Sequence, residues 1–519
     1  MSEERIGFRW WAEAEPDRPA IVDASGAALT YGELGAEVNR LTHGLREVAG
    51  LRRGDTVACV MSNSLRMVAL YLAAMQSGVY LVNINYHLTA EEIAYIVDDC
   101  GAAAVVCSQK PAGQTAAAVA GRVPLFVDGT CPAGSGARPF TDLTEGQSPD
   151  LPAERPAGSL MLYTSGTTGR PKGVRRPLPD GDADAGARTY KWLFDEYGMA
   201  DACAVWLVSA PLYHSANLTP AAGTLHLGGR LVLMDGWTGE MFLDAVARYG
   251  VTGTHMVPTQ FHRLLQLPEA VRAAAEVGSL RAVLHGAAPC PRPVKERMLD
   301  WFGPVLYEYY GSTEVGTTIA RPHEWLARPG TVGRPASIST LKILDADGRE
   351  VAPGVEGTVY MRQGTDVIEY HNDPEKTRRA RRDGLLTVGD LGYVDEDGYL
   401  FLTGRSSDLI IVGGVNVYPA EIEAALLTHP QVADAGVIAS PDADLGEVPV
   451  AFIETAPGPL KGQELRASIA AHCAERLARV KCPARLHLVA GLPRDPNGKL
   501  YKARLSEDAV AVTAGGASA

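Results

Sequence analysis

Tyr163-Thr164-Ser165-Gly166-Thr167-Thr168-Gly169-Arg170-Pro171-Lys172-Gly173-Val174 reads as a strand end running into a loop crowded with hydroxyls and glycines. The apolar run Leu160 to Tyr163 predicts the strand that delivers the chain into it. Such a loop suits phosphate. Glycine lets backbone N–H groups approach an anion closely, Ser and Thr add donors, and Lys172 adds a point charge, so the segment can wrap a triphosphate. It is not a Walker A loop, which places Lys directly after its second glycine and then Ser or Thr; here Arg170 and Pro171 intervene and Gly173 follows. A lone glycine loop is more often a plain turn, but an unbroken stretch of this kind favours the anion.

With 519 residues the chain is too long for one ordinary domain, and two or more are expected. The net charge of −13, without clustered Lys and Arg, excludes nucleic acid as the expected partner, whereas a free nucleotide needs only one local pocket. The eight cysteines are scattered with no C-x-x-C pair, so reduced thiols in a cytoplasmic protein are expected and a structural zinc site is not. Met1-Ser2-Glu3-Glu4-Arg5 has no hydrophobic signal core, and no apolar run approaches the ~20 residues that span a bilayer.

Upstream of the loop, Asp17 to Val22 and Leu29 to Tyr31 predict strands. Thr30-Tyr31-Gly32-Glu33 predicts a capping box for a helix with Leu34, Val38, Leu41, Leu45 and Val48 on one face. Thr56 to Met61, Val79 to Ile84 and Ala103 to Cys107 read as strands separated by helices at Ser64 to Gly78 and Thr89 to Asp99, hence βαβ units and a largely parallel sheet covered on both faces. Pro111 to Gly158 reads as mostly surface connection, and Pro177 to Arg188 as a mobile, solvated excursion. Downstream, strands are expected at Ala204 to Ala210, Leu231 to Met234, Thr252 to Val257 and Ala282 to His285. A smaller β-rich region follows, with turns at Asp347-Gly348 and Asp397-Gly398. Beyond Ser406 to Asp408, strands at Leu409 to Val412, Val432 to Ala439, Val448 to Glu454 and Arg485 to Val489, with two helices, make a small α+β domain. The fold class is α/β: a large N-terminal domain of βαβ-type sheets plus a β-rich subdomain, and a small mobile α+β C-terminal domain. Its boundaries fall at 1–404, a hinge at 405–408, and 409–519 with a disordered tail.

Further motifs follow the loop in order. They are Pro211-Leu212-Tyr213-His214-Ser215-Ala216-Asn217, Gly286-Ala287-Ala288-Pro289-Cys290, Tyr307-Glu308-Tyr309-Tyr310-Gly311-Ser312-Thr313-Glu314 and Leu386-Thr387-Val388-Gly389-Asp390. Gly404-Arg405, Val412-Gly413-Gly414-Val415-Asn416-Val417-Tyr418-Pro419 and Leu492-Pro493-Arg494-Asp495-Pro496-Asn497-Gly498-Lys499 complete the set. Small residues at a strand end admit a flat ring, and a carboxylate such as Asp390 accepts two hydrogen bonds at once. With the loop, these stretches closely resemble the AMP-forming adenylating enzymes: acyl-CoA synthetases, adenylation domains and luciferases.

The resemblance implies ATP-driven activation of a carboxylic acid to an acyl adenylate, then transfer to a thiol. By that resemblance Thr164, Ser165, Gly166, Thr167, Thr168 and Gly169, with Lys172, hold the phosphates. Gly286, Ala287, Ala288, Tyr310 and Gly311 take the adenine. Thr313 stands by the α-phosphate, and Glu314 holds Mg²⁺ through oxygen. His214 borders the acyl pocket and positions substrate, with no acid or base function. Asp390 accepts the ribose hydroxyls beside Arg405. Lys499 bridges the carboxylate and the α-phosphate as pyrophosphate leaves, and Gly413 and Gly414 line the thiol passage after the small domain rotates.

The family usually has Asp or Lys where this chain has Ser407 and often Ser where it has Val412. The leading reading is therefore an ATP-, Mg²⁺- and CoA-dependent acid:CoA ligase. The second is a ligase that chiefly thioesterifies a preformed adenylate, and the reading from another class is a non-catalytic nucleotide-binding protein. Ala216, Asn217, Gly286, Ala287, Gly311 and Ser312 are small and leave room for a hydrophobic acid, fatty or bulky and polycyclic, terpenoid or steroid-like. A homodimer is an expectation at family level alone.

Overall fold

The computed structural model describes residues 5–164, 171–312, 315–364, 369–495 and 498–505. Its contacts divide the chain into two compact units, Met1–His255 with Glu276–Val283 and Thr365–Ala380, and Met256–Ala275 with Leu284–Gly364 and Arg381–Ala519.

In the first unit the helix Tyr31–Glu47 begins as its sequence dictates. Thr30 accepts from the Glu33 N–H while the Glu33 carboxylate accepts from the Thr30 N–H over 2.8 Å, and Leu34, Val38, Leu41 and Leu45 are buried. A six-stranded sheet has the order Arg138–Pro139, Leu125–Asp128, Ala102–Ser108, Thr56–Val60, Tyr80–Asn83, Ser159–Leu160, and every pair in it is parallel. Thr56–Val60 and Tyr80–Asn83 are buried at every position, as strands covered on both faces must be. A second sheet orders Ala28–Thr30, Pro19–Val22, Arg230–Leu233, Val205–Val208 and Gly253–Met256.

Two stretches depart from the sequence reading. The segment after Pro111 forms the helix Ala112–Val119, whose Ala118 and Val119 enter the core with Leu125 and Val127. The stretch 177–188 is pinned. Arg155, with 5 % of its side chain exposed, donates from Nη1 to both Asp182 oxygens over 3.1 and 3.2 Å and from Nη2 to Asp184 Oδ2 over 2.9 Å. The helix Ala187–Glu196 follows directly.

In the second unit Leu306–Gly311, Thr317–Ala320 and Arg334–Pro335 pair antiparallel. The β-rich sheet orders Arg381–Arg382, Leu385–Leu386, Gly357–Gln363, Asp390–Val394 and Leu400–Arg405, with Ser339–Leu344 on Gly357–Gln363. After a turn at 406–408 comes a five-stranded sheet built on Gly446–Thr455, over which the helices Pro419–Leu426 and Gly462–Arg476 bury Ile422, Leu426, Leu465, Ile469 and Cys473. The expected tail lies outside the described residues. All eight cysteines are free thiols, and no described helix is long and apolar enough to cross a membrane.

Candidate functional site

In the first unit the hydroxyl-rich loop joins the two arms of a hairpin. Leu162–Thr164 pairs antiparallel with Lys172–Arg175, Thr164 opposite Lys172, and Glu369–Tyr370 adds a third strand beside Val174 and Arg175. Gly173 is closely packed here: a Cβ would lie 2.5 Å from the Met161 methyl and 3.1 Å from the Tyr163 ring, so a larger residue would have to displace the methionine. Tyr163 donates to Asp99 Oδ2 over 2.6 Å, and burial together with that carboxylate raises its pKa. Asp99 also receives Asn372 Nδ2, and its backbone oxygen lies 3.0 Å from His371 Nε2. The first arm and the residues just after the third strand are thus anchored to Asp99. Lys172 Nζ stands 3.4 Å from Asp373 Oδ2, a partner that nothing in the local motif announces.

Also in this unit, His214 caps the helix Ser215–His226, and its carbonyl accepts from the Asn217 and Leu218 N–H groups over 3.1 and 3.0 Å. The Tyr213 ring lies 4.4 Å away. Asn63 fixes the approach. Its Nδ2 donates to Ala210 O and Met234 O, both over 3.1 Å, and its Oδ1 accepts from the Leu212 N–H over 2.8 Å. Asn217 is 1 % exposed, with Oδ1 3.1 Å from His255 Nδ1; burial drives the His255 pKa down to about 4, so the neutral ring donates. Asn217 therefore fastens the helix start to a strand, and its small size does not open space for an acid as the sequence reading supposed.

The second unit brings together Gly286, Tyr309, Tyr310, Asp390 and Arg405. A Cβ on Gly286 would sit 2.7 Å from Tyr309 O and 2.8 Å from its ring, so only glycine permits that strand to lie so close. Ala287 takes φ 66°, a left-handed conformation that costs a non-glycine residue of order 1–2 kcal/mol and that clusters at functional turns. Gly311 is small for its own strand, since a Cβ there would meet Gly316 O at 2.8 Å. Tyr310 donates its hydroxyl to Asp390 Oδ2 and Arg405 Nε donates to Oδ1, each over 2.7 Å. Asp390 is 5 % exposed. Burial and the adjacent carboxylate raise the Tyr310 pKa, while burial pulls Arg405 down and Asp390 more than offsets it. Each oxygen keeps a free lone pair, so the carboxylate can still accept from a diol.

The loop ending in Lys499 is held by its own residues and by Asp434 of the strand Val432–Asp442. Arg494 forks onto Asp434 over 2.5 and 2.7 Å and donates to Gly498 O over 2.7 Å, and Asp495 Oδ1 accepts from the Lys499 N–H over 2.9 Å. Gly498, at φ 78°, rests on the start of the helix Pro258–Leu265; a Cβ would come 2.5 Å from Thr259 Oγ1. Gly413 and Gly414, both at positive φ, form the tip of a hairpin whose neighbour is Leu445. Tyr418 packs back on Gly404 and donates to Glu356 Oε1 over 2.7 Å. Asn63 and Asp373 lie outside every motif, and Tyr309 lies inside one that assigns it no role; each acts through a contact that only the fold makes.

Ser165, Gly166, Thr167, Thr168 and Gly169 lie outside the described residues, as do Thr313 and Glu314, and Thr164 is described by its backbone alone. Among the described residues no group of three His, Cys, Asp or Glu forms a metal cage.

The family model for the AMP-binding enzyme matches residues 8–369, and that for the AMP-binding enzyme C-terminal domain matches residues 421–499. The chain is 31 % identical over 510 residues to the fatty acid–[acyl-carrier-protein] ligase of Streptomyces coeruleorubidus, covering 96 % of this chain and 94 % of that one. It is 34 % identical over 482 residues to the feruloyl-CoA synthase of an Amycolatopsis species, covering 92 % and 93 %. Among solved structures it superposes on the o-succinylbenzoate CoA synthetase of Bacillus subtilis, in complex with its acyl-adenylate intermediate, with a TM-score of 0.79 at 27 % identity, covering 96 % and 97 %.

Proposed function

Because the chain belongs to the AMP-binding enzyme family, as an AMP-forming acyl-CoA synthetase, we propose that it activates a hydrophobic carboxylic acid on the ribose clamp of Asp390, Tyr310 and Arg405 and passes the acyl group to CoA. One observation carries the placement of the nucleotide: a buried carboxylate held from both sides that still has an open lone pair on each oxygen. ATP, Mg²⁺ and CoA are the enzyme's cofactors. In this reading the adenine lies along Gly286 to Ala288 beside Tyr310 and Gly311. Lys172 and the loop Thr164 to Gly169 hold the phosphates, and Thr313 stands by the α-phosphate. Mg²⁺ would be held by Glu314 together with phosphate oxygens, where it neutralises phosphate charge.

The acid's carboxylate attacks the α-phosphorus and pyrophosphate departs. Lys499 brings an ammonium to the charge that develops there, and the Arg494–Asp434 fork sets the backbone that presents it. His214 orients the acid from the start of its helix. For thioester formation the part beyond the hinge at 405–408 rotates, so that Gly413 and Gly414 line the passage of the thiol, which attacks the acyl carbon and releases AMP. The domains of this reading are 1–404 and 409–519.

The acid is taken to be fatty or aryl, the classes named for the relatives. The polycyclic reading loses part of its ground, because Gly286 and Gly311 are small for their own neighbours and Asn217 is tied to His255. Ser407 favours a second reading, an enzyme that works chiefly on a preformed adenylate. One experiment separates them: fatty, aryl and polycyclic acids, free and as synthetic adenylates, are offered with CoA or with an acyl carrier protein, and products are read by mass spectrometry. Thioester from a free acid establishes the full reaction and its class. Thioester from adenylates alone moves the assignment to the second half-reaction, and no thioester from either overturns both.

A further inference from the structure

Lys295 lies outside every motif, and Glu308, though it stands in the stretch Tyr307 to Glu314, is given no role by it; the two form a buried ion pair in the second unit. Lys295, on the helix Arg292–Phe302, is 0 % exposed and donates from Nζ to Glu308 Oε2 over 2.6 Å. The ammonium also lies 4.6 Å from the centroid of the buried Trp325 ring. His285, equally buried, holds Nε2 3.8 Å from the same carboxylate oxygen, and the Phe261 ring meets its own at 5.1 Å.

Burying two ions costs several kcal/mol each, and apolar residues of the same volume often serve stability as well or better. What the pair adds is direction. His285 ends the strand that delivers Gly286, and the helix carrying Lys295 starts just after the turn Gly286 to Cys290. Glu308 lies one residue before Tyr309, whose ring and carbonyl cover Gly286, and two before Tyr310, which holds Asp390. A salt bridge between that helix and that strand fixes how far apart the two walls of the turn stand. Ala287, held at φ 66°, needs such external restraint.

We propose that Lys295 and Glu308 are positioning residues for the nucleotide, their ion pair setting the Gly286–Ala288 turn against Tyr309 and Tyr310 so that the adenine fits. The inference rests on the reading of that turn as the adenine seat. Neither residue touches substrate; both act through the turn.

The test uses the full-length enzyme with the double substitution Lys295→Met and Glu308→Leu, the single Glu308→Gln, and Ala287→Trp, which fills the turn itself. AMP affinity is read by calorimetric titration, with KM for ATP, KM for the acid and Tm alongside. The double variant should keep its Tm and its KM for the acid while AMP affinity and KM for ATP worsen at least about tenfold, and Glu308→Gln should fall between it and wild type. A structural role alone would lower Tm and leave the two KM values unsplit. If the folded double variant, or a folded Glu308→Gln enzyme where the double one fails to fold, binds AMP as wild type does while Ala287→Trp abolishes binding, the positioning role is overturned and the adenine seat stands. If Ala287→Trp also binds AMP normally, the adenine seat itself is refuted.

Discussion

The Tyr310 hydroxyl reaches Asp390 Oδ2 over 2.7 Å, so an aromatic residue of one strand orients a carboxylate of another sheet. Hydrogen bonds to charged groups contribute ~1.5–3 kcal/mol. Tyr310→Phe, which removes one orienting bond but keeps the ring, should raise KM for ATP about tenfold, and Asp390→Ala, which removes the acceptor, about a hundredfold. KM for the acid should stay put in both. Pyrophosphate release at varied ATP and fixed acid measures the effect, and an unchanged KM for ATP in Asp390→Ala removes the ribose assignment.

Gly498 sits where only glycine fits, with Thr259 behind it. Gly498→Ala must shift the loop, and adenylate formation should slow more than tenfold, since a left-handed Ala alone costs of order 1–2 kcal/mol and the contact adds to it. Lys499→Ala should slow the same step by about two orders of magnitude, the usual loss for one preorganised contact. Thioester formation from a synthetic adenylate should be nearly intact in both. Equal losses in the two half-reactions would contradict the assignment.

Arg155 is buried while Asp182 is 55 % exposed and Asp184 22 %. Asp182→Asn should change the urea midpoint little, because an exposed partner is worth under ~1 kcal/mol, and Asp184→Asn somewhat more. Arg155→Leu loses the packing of the long side chain as well as the bond to Gln76 Oε1, and should cost about 2–3 kcal/mol.

His226 and His255 are both held by burial at a pKa of about 4, below the ordinary 6.5. The unfolded chain takes up protons that the folded one refuses, so stability is complete above about pH 6.5 and falls as pH drops toward 4, by roughly 3 kcal/mol per histidine at most. At His226 the reason is visible: Nδ1 accepts from the Phe8 N–H over 3.2 Å, and a proton there would end that bond. Urea midpoints between pH 8 and 5 should fall with pH, and His226→Gln should flatten the slope.

The parallel sheet, the helix capped by Thr30 and Glu33 and the strand Ala282–His285 were legible because each is written in its own stretch: periodicity, a cap, an apolar run. The same holds for Asp390 beside Arg405, whose motifs name them one at a time. What escaped depends on distant residues. The Asp, Gly and Ala of 177–188 look solvated until Arg155 is seen holding them, and Lys172 opens a strand whose outer neighbour, Glu369–Tyr370, arrives far along the chain. Glycine was misjudged for a related reason. Local sequence shows that Gly286 and Gly311 are small, but only the packed fold shows that Tyr309 and Gly316 use the space.

Asp390 lies directly opposite Arg405 in the ladder of its sheet, and Ser406 then donates twice to Gly389 O, over 2.9 and 3.0 Å. In the proposed reading, a pivot at Ser407 begins one residue past that last rung, so the swing would leave the grip on the sugar shut and the acyl adenylate would stay seated between the two steps.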